Sequence, residues 1–147
     1  MRAWNWLLSR FYRGLADGHR YFGNLHGNRQ DHRLAIESYT RALARDPAYS
    51  QAYYSRGVLY WREMGNPDRA VEDLTRVLEL EPAWAEAHFN RAMAHRLRYE
   101  REQAMADFRS YLAIGTDEFW LVSAQRQLAE LEEEMGEQGS PGGDIPG

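Results

Sequence analysis

The chain has no cysteine and no lysine among its 147 residues. Without cysteine it can form neither disulfides nor thiolate metal sites. Without lysine every basic side chain is an arginine, planar and able to bind two oxygens at once. No apolar run approaches the roughly 20 residues that a membrane-spanning helix needs. The amino-terminal run Trp4-Asn5-Trp6-Leu7-Leu8 is short, interrupted by Asn5, and ends at Ser9-Arg10 with no small-x-small cleavage site after it. The expectation is therefore a cytoplasmic chain without a secretory signal. Signatures of chemistry are missing as well: no G-x-S-x-G, no P-loop, no dinucleotide fingerprint and no H-E-x-x-H. The acidic clusters Glu72-Asp73 and Glu132-Glu133-Glu134 read as solvated helix faces. No enzyme and no cofactor are expected.

Charge argues against a nucleic-acid partner, since the net value is −4 and such binders carry a basic excess. The distribution is uneven. Residues 1–62 hold ten arginines and four acids, whereas residues 63–147 hold eight arginines and eighteen acids.

What is present is a repeat. Gly23, Gly57 and Ala92 follow one another at 34 and 35 residues. Each is followed 12 or 13 residues later by Ala35, Ala70 or Ala104, and four residues after those stand Tyr39, Leu74 and Phe108. Pro47 and Pro82 close the first two units. A period in the mid-thirties is the mark of stacked supersecondary units, of which about three are needed to bury a continuous core.

Within the period the punctuation is helical. Asp46 followed by Pro47 predicts a helix N-cap and first position, and the helix runs to about Met64 with Gly65 as its stop. Asn66-Pro67-Asp68 predicts the next start, and Ala70, Val71, Leu74, Val77 and Leu78 form its apolar face. The first unit pairs a helix near 16–28 with one near 32–44. The third pairs 82–98 with 102–114, through a turn, Tyr99-Glu100-Arg101, that lacks glycine. Thr116 is the expected cap of a last helix, whose stripe Leu121, Ala124, Leu128, Leu131 and Met135 faces one side only, as a solenoid end requires. The Gly- and Pro-rich segment 136–147 is expected to be disordered.

These units resemble the tetratricopeptide repeat family, whose pattern is W-x2-L-G-x2-Y, then A-x3-F, then P. The second unit reads Tyr53-x2-Arg56-Gly57-x2-Tyr60, Ala70-x3-Leu74, Pro82; the first reads His19-x2-Phe22-Gly23-x2-His26, Ala35-x3-Tyr39, Pro47. The third reads His88-x2-Arg91-Ala92-x2-His95, Ala104-x3-Phe108, with Thr116 in the place of proline. The resemblance implies an all-α superhelical array of three helix-turn-helix repeats (16–49, 50–84, 85–118), with an amino-terminal helix over 1–15 and a capping helix over 119–135. Gly57 and Ala70 are expected where two helices of a unit cross.

The histidine pairs His19/His26 and His88/His95 are seven apart, about 10.5 Å along a helix, too far to share one metal ion. They occupy the positions of Tyr53 and Tyr60 and read as packing residues, so no metal is expected. The resemblance also implies a function, a non-catalytic adaptor that holds a partner segment in a concave groove. It assigns that groove to Asp17, Arg20, Tyr21, Asn24 and Asn28; to Gln51, Tyr54, Ser55, Val58, Trp61 and Arg62; and to Glu86, Phe89, Asn90, Met93, Arg96 and Leu97. For Tyr54 and Trp61, contact with the next helix is an equal alternative. A family subgroup grips the C-terminus of heat-shock chaperones with a carboxylate clamp. Here Arg20 and Asn24 fit its first pair, but Ser55, Glu86 and Asn90 replace the rest. An acidic segment near Arg20, Arg62 and Arg96 remains the expected kind of partner.

The amino-terminal segment places Trp4, Leu7, Leu8, Phe11 and Leu15 on one helical face, with Arg2, Arg10 and Arg13 nearby. Two readings stand: a cap packed on the first unit, or an interfacial membrane anchor of a tethering or assembly factor. Self-association through an exposed end is open too.

Overall fold

The structure, a computed structural model, describes residues 2–138. They form seven helices: α1 (Arg2–His26), α2 (Arg29–Arg45), α3 (Ser50–Arg62), α4 (Pro67–Leu80), α5 (Ala85–Leu97), α6 (Arg101–Ile114) and α7 (Glu118–Gln138). No strand occurs among the described residues. Helices pair as α1–α2, α3–α4 and α5–α6, and each pair packs on the next, with α7 closing the row on α6. No described helix is long and apolar enough to cross a membrane.

Tight turns join the helices of each pair. Gly27 and Gly65 both adopt φ +62°, the left-handed conformation in which a side chain is strained. Asn28 and Asn66 then cap α2 and α4, their side chains accepting from the amides of Gln30 and Arg69. In the third pair Tyr99 takes the left-handed place at φ 59°. Its ring is 81% exposed, so nothing in the packing repays the strain of a β-carbon there, about 1 kcal/mol. Tyr99→Gly is expected to raise the urea midpoint; a lower midpoint would refute the assignment of strain.

Between pairs the helix starts differ from those expected. Asp46 and Pro47 do not open α3. They begin a turn in which the Tyr49 amide donates to the Asp46 carbonyl at 3.2 Å, and the same turn recurs from Glu81 to Trp84 at 3.1 Å. Proline's fixed φ serves the second position of such a turn as well as a helix start, and the helices begin three residues later. At α7 the cap is Asp117, which accepts from the Trp120 amide at 3.2 Å, in place of Thr116. Residues 136–138, expected in the tail, belong to α7; residues 139–147 of that segment lie outside the described residues.

Small residues set the helix crossings. A β-carbon on Gly57 would meet Leu74 at 3.0 Å and Asp73 at 3.2 Å, and Ala35, Ala70, Ala92 and Ala104 are fully buried. Around them Tyr39, Leu74 and Phe108 fill the core. Polar ties cross each junction between pairs. Arg56 of α3 makes two bonds to Asp73 of α4 at 2.8 and 2.7 Å and a third to Thr40 of α2 at 2.8 Å. Arg91 repeats the pattern with Asp107 at 2.7 and 2.8 Å and Thr75 at 3.2 Å. One guanidinium thus joins three helices.

The boundary expected at residue 15/16 does not exist. α1 is continuous, because nothing between Leu8 and Gly23 breaks a helix. Its buried face is Ser9, Ala16 and Gly23, small residues seven apart. The stripe Trp4, Leu7, Phe11 and Leu15 points outward and is exposed, with Leu8 at its half-buried edge. It does not pack as a cap on the first unit.

Candidate functional site

The concave side of α3, α5 and α7 encloses a cavity of about 350 Å³. Its lining is mostly apolar: Val58, Trp61, Phe89, Met93, Tyr111 and Trp120, with Tyr54, Arg62, Glu86, Asn90, Ser123, Arg126 and Gln127 around them. That volume lies in the range of pockets that hold a small ligand or a large side chain.

The walls are fixed by an amide network. Asn90 accepts from the Trp61 indole at 3.1 Å and donates to the Tyr54 hydroxyl at 3.0 Å and to the Glu86 carbonyl at 2.7 Å. The Tyr54 ring stacks on Trp84 at 4.9 Å. Tyr54 and Trp61 therefore do both things open to them: they hold the next helix and line the groove. Burial, aided by the charge of Glu86, pushes the Tyr54 hydroxyl up to about 12. It stays protonated at neutral pH, and while Asn90 donates to it, its own proton is available to a ligand. Below, Phe89 meets Phe108, Tyr111 and Trp120 edge-on at 5.6, 5.4 and 5.0 Å. These contacts make the floor a rigid aromatic cluster.

Half of the expected groove residues line this cavity: Tyr54, Val58, Trp61, Arg62, Glu86, Phe89, Asn90 and Met93. The others are elsewhere or already engaged. Asn28 is the cap of α2, in the turn at the far end of the pair. Asn24 bonds His32 at 3.0 Å, and Ser55 is buried. Asp17 accepts from Tyr39 at 2.5 Å and from Arg13 at 3.0 Å, and Arg20 lies 3.9 Å from that carboxylate. Arg96 pairs with Glu130 at 2.9 Å and bonds Gln127. Tyr21 and Leu97 are exposed, and Gln51 is half-buried; none of the three reaches the cavity.

The sequence pattern did not point to the α7 wall: Trp120, Ser123, Arg126 and Gln127, together with Tyr111 from α6. A signal existed. Helices α3, α5 and α7 begin at 50, 85 and 118, so α7 stands where the first helix of a fourth unit would. The histidines take packing bonds: His88 lies 3.2 Å from Asp107, and His95 lies 2.6 Å from Glu100. Among the described residues no three acidic or histidine side chains are grouped to hold a metal ion.

Comparison with known proteins bears on the same helices. The family described as tetratricopeptide repeat matches residues 22–63 and 62–118. The chain belongs to the tetratricopeptide repeat family. No curated protein matches it. Solved structures share its fold. The tetratricopeptide domain of Arabidopsis OM64 superposes with a TM-score of 0.74 at 20% identity, over 88% of this chain and 98% of that one. The first such domain of Spaghetti (RPAP3), bound to the HSP90 peptide SRMEEVD, gives 0.69 at 20% identity over 84% and 95%. The Sgt2 domain from Aspergillus fumigatus gives 0.68 at 21% identity over 89% and 88%. In tetratricopeptide terms, α1, α3 and α5 are the first helices of three repeats, and α7 extends their inner surface.

Proposed function

We propose that the chain is a non-catalytic interaction module, and that a partner segment seats a bulky apolar side chain in the cavity between α3, α5 and α7. The observation that carries this reading is the cavity itself: an aromatic floor with a fixed polar rim, on the side of the array where repeats differ from one another. The rim favours an acidic neighbour to the anchor. Arg62 makes no ion pair among the described residues, and Arg126 reaches Glu130 only at 4.0 Å, so both guanidinium groups are available at the mouth.

A chaperone C-terminus of the kind bound by the similar domains, SRMEEVD or SGPTIEEVD, is not the ligand favoured here. The positions a clamp would use are occupied: Asn24 by His32, Arg20 beside Asp17, Ser55 in the core, and a carboxylate, Glu86, where a base is wanted. The acidic segment is placed instead near Arg62 and Arg126.

Selection of a displayed random-peptide library on the full chain tests the reading. Recovered peptides should share one aromatic or large aliphatic residue flanked by acids. Arg62→Ala with Arg126→Ala should weaken them at least tenfold at low salt and flatten their salt dependence. Peptides without a common anchor, or an unchanged salt dependence, would defeat the proposal.

A further inference from the structure

The outer face of α1 carries a second surface, independent of the cavity. Trp4, Leu7, Phe11, Leu15, Phe22 and Leu25 are 67, 51, 64, 42, 52 and 60% exposed. With Gly14 and Gly18 they fill a stripe along nearly the whole helix that contains no charged residue. The face is the one that α3 and α5 turn toward the preceding pair. There, Arg56 and Arg91 reach back to Thr40 and Thr75; in α1 the equivalent position is Phe22. The first repeat has thus replaced a polar tie with an apolar contact.

We infer that this stripe joins two copies of the chain as an antiparallel α1–α1 pair. Its residues form a set that maps onto itself when the helix is reversed about the point between 14 and 15. Trp4 then lies level with Leu25 of a second copy, Leu7 with Phe22, Phe11 with Gly18, and Gly14 with Leu15. Large residues face small ones at the centre. A β-carbon on Gly14 or Gly18 would meet nothing within 4 Å in a single copy, so both offer room for the opposing ring. A two-fold interface has to be self-complementary in this way. Complete cover of the six side chains removes on the order of 800 Å² per copy, the contribution of each partner to a standard-size interface.

A lipid surface suits the stripe less well. An interfacial helix sets its bases along the border of the apolar face. Here Arg10 sits 3.9 Å over the Tyr49 ring and 3.8 Å from Asp46, and Arg13 bonds Asp17 and the Tyr49 hydroxyl at 3.0 and 2.9 Å. Both are committed to the array.

The lack of native cysteine makes the test direct. Sedimentation of the full chain should give a dimer at tens of micromolar. Under mild oxidation Leu15→Cys should cross-link to itself, and Trp4→Cys should cross-link to Leu25→Cys but not to itself. Spin labels at position 4 should lie about 30 Å apart, the rise between residues 4 and 25. Phe11→Glu should weaken the dimer at least tenfold with unchanged helix content. Gly18→Leu should do the same while stabilising the monomer's helix, which separates association from folding. A monomer at every concentration, cross-links at position 4 as strong as those at 15, or binding to anionic vesicles abolished by Phe11→Glu would each overturn the inference.

Discussion

Arg56→Ala lowers the unfolding free energy by about 3–5 kcal/mol, the cost of stranding a buried charge. Asp73, 5% exposed, loses both of its bonds, and α2 loses its tie to α3. Replacing both partners, Arg56→Leu with Asp73→Leu, recovers most of the loss, because no polar group is then left unsatisfied. The pH dependence comes from the carboxyl. Burial already holds Asp73 above its ordinary value, against the pull of Arg56, and removing Arg56 pushes it further up. A carboxyl raised in the folded state penalises folding while it is ionised. The penalty is full above the folded pKa and fades as pH falls toward the unfolded value. The variant's deficit should therefore shrink between pH 7 and about pH 4. Urea unfolding at both ends of that range checks it; a cost below 1 kcal/mol at pH 7, or a deficit that grows in acid, contradicts it.

Phe108→Ala should cost a comparable 3–5 kcal/mol. Phe108 is fully buried and packs edge-on at 5.6 Å against Phe89, the floor of the cavity. Its removal does two things at once. It opens a void in the core shared by α5, α6 and α7, and it frees Phe89 to move away from Trp120. Peptide affinity should fall even where the variant is still folded, although Phe108 itself touches no ligand. Tyr21→Ala, at a 62% exposed position of α1, serves as the control and should stay within about 0.5 kcal/mol of the parent. Equal stability of the two variants would refute the packing account.

The repeat made the architecture legible because it rests on contacts that only certain residues permit. Gly57 lies against Leu74 and Asp73 because nothing larger fits, and Ala70 and Ala92 serve the same purpose in their own pairs. The caps were less legible where one residue type serves two turns. Asn66-Pro67 opens a helix, while Asp46-Pro47 opens a loop. The two differ in the residues after the proline: the Tyr49 and Trp84 rings must reach their neighbours before the helix can start. The groove was half legible. Positions counted along α3 and α5 fell on the cavity, but those in α1 did not, because Asp17 and Asn24 are consumed by Tyr39 and His32. Such bonds depend on which side chains meet across helices, and a single helix pattern does not encode them. The α7 wall escaped because an apolar stripe of a cap and the first helix of a further repeat look alike from one side.

The most direct test of the cavity uses the five methionines. Of these, Met93 lines the cavity, Met105 is buried in the core, and Met64 and Met135 stand away from the site. In a methyl spectrum of chain labelled at methionine, titration with a selected peptide should move the Met93 signal saturably and leave those of Met64, Met105 and Met135 in place. A peptide that binds while the Met93 signal stays unmoved would contradict the account.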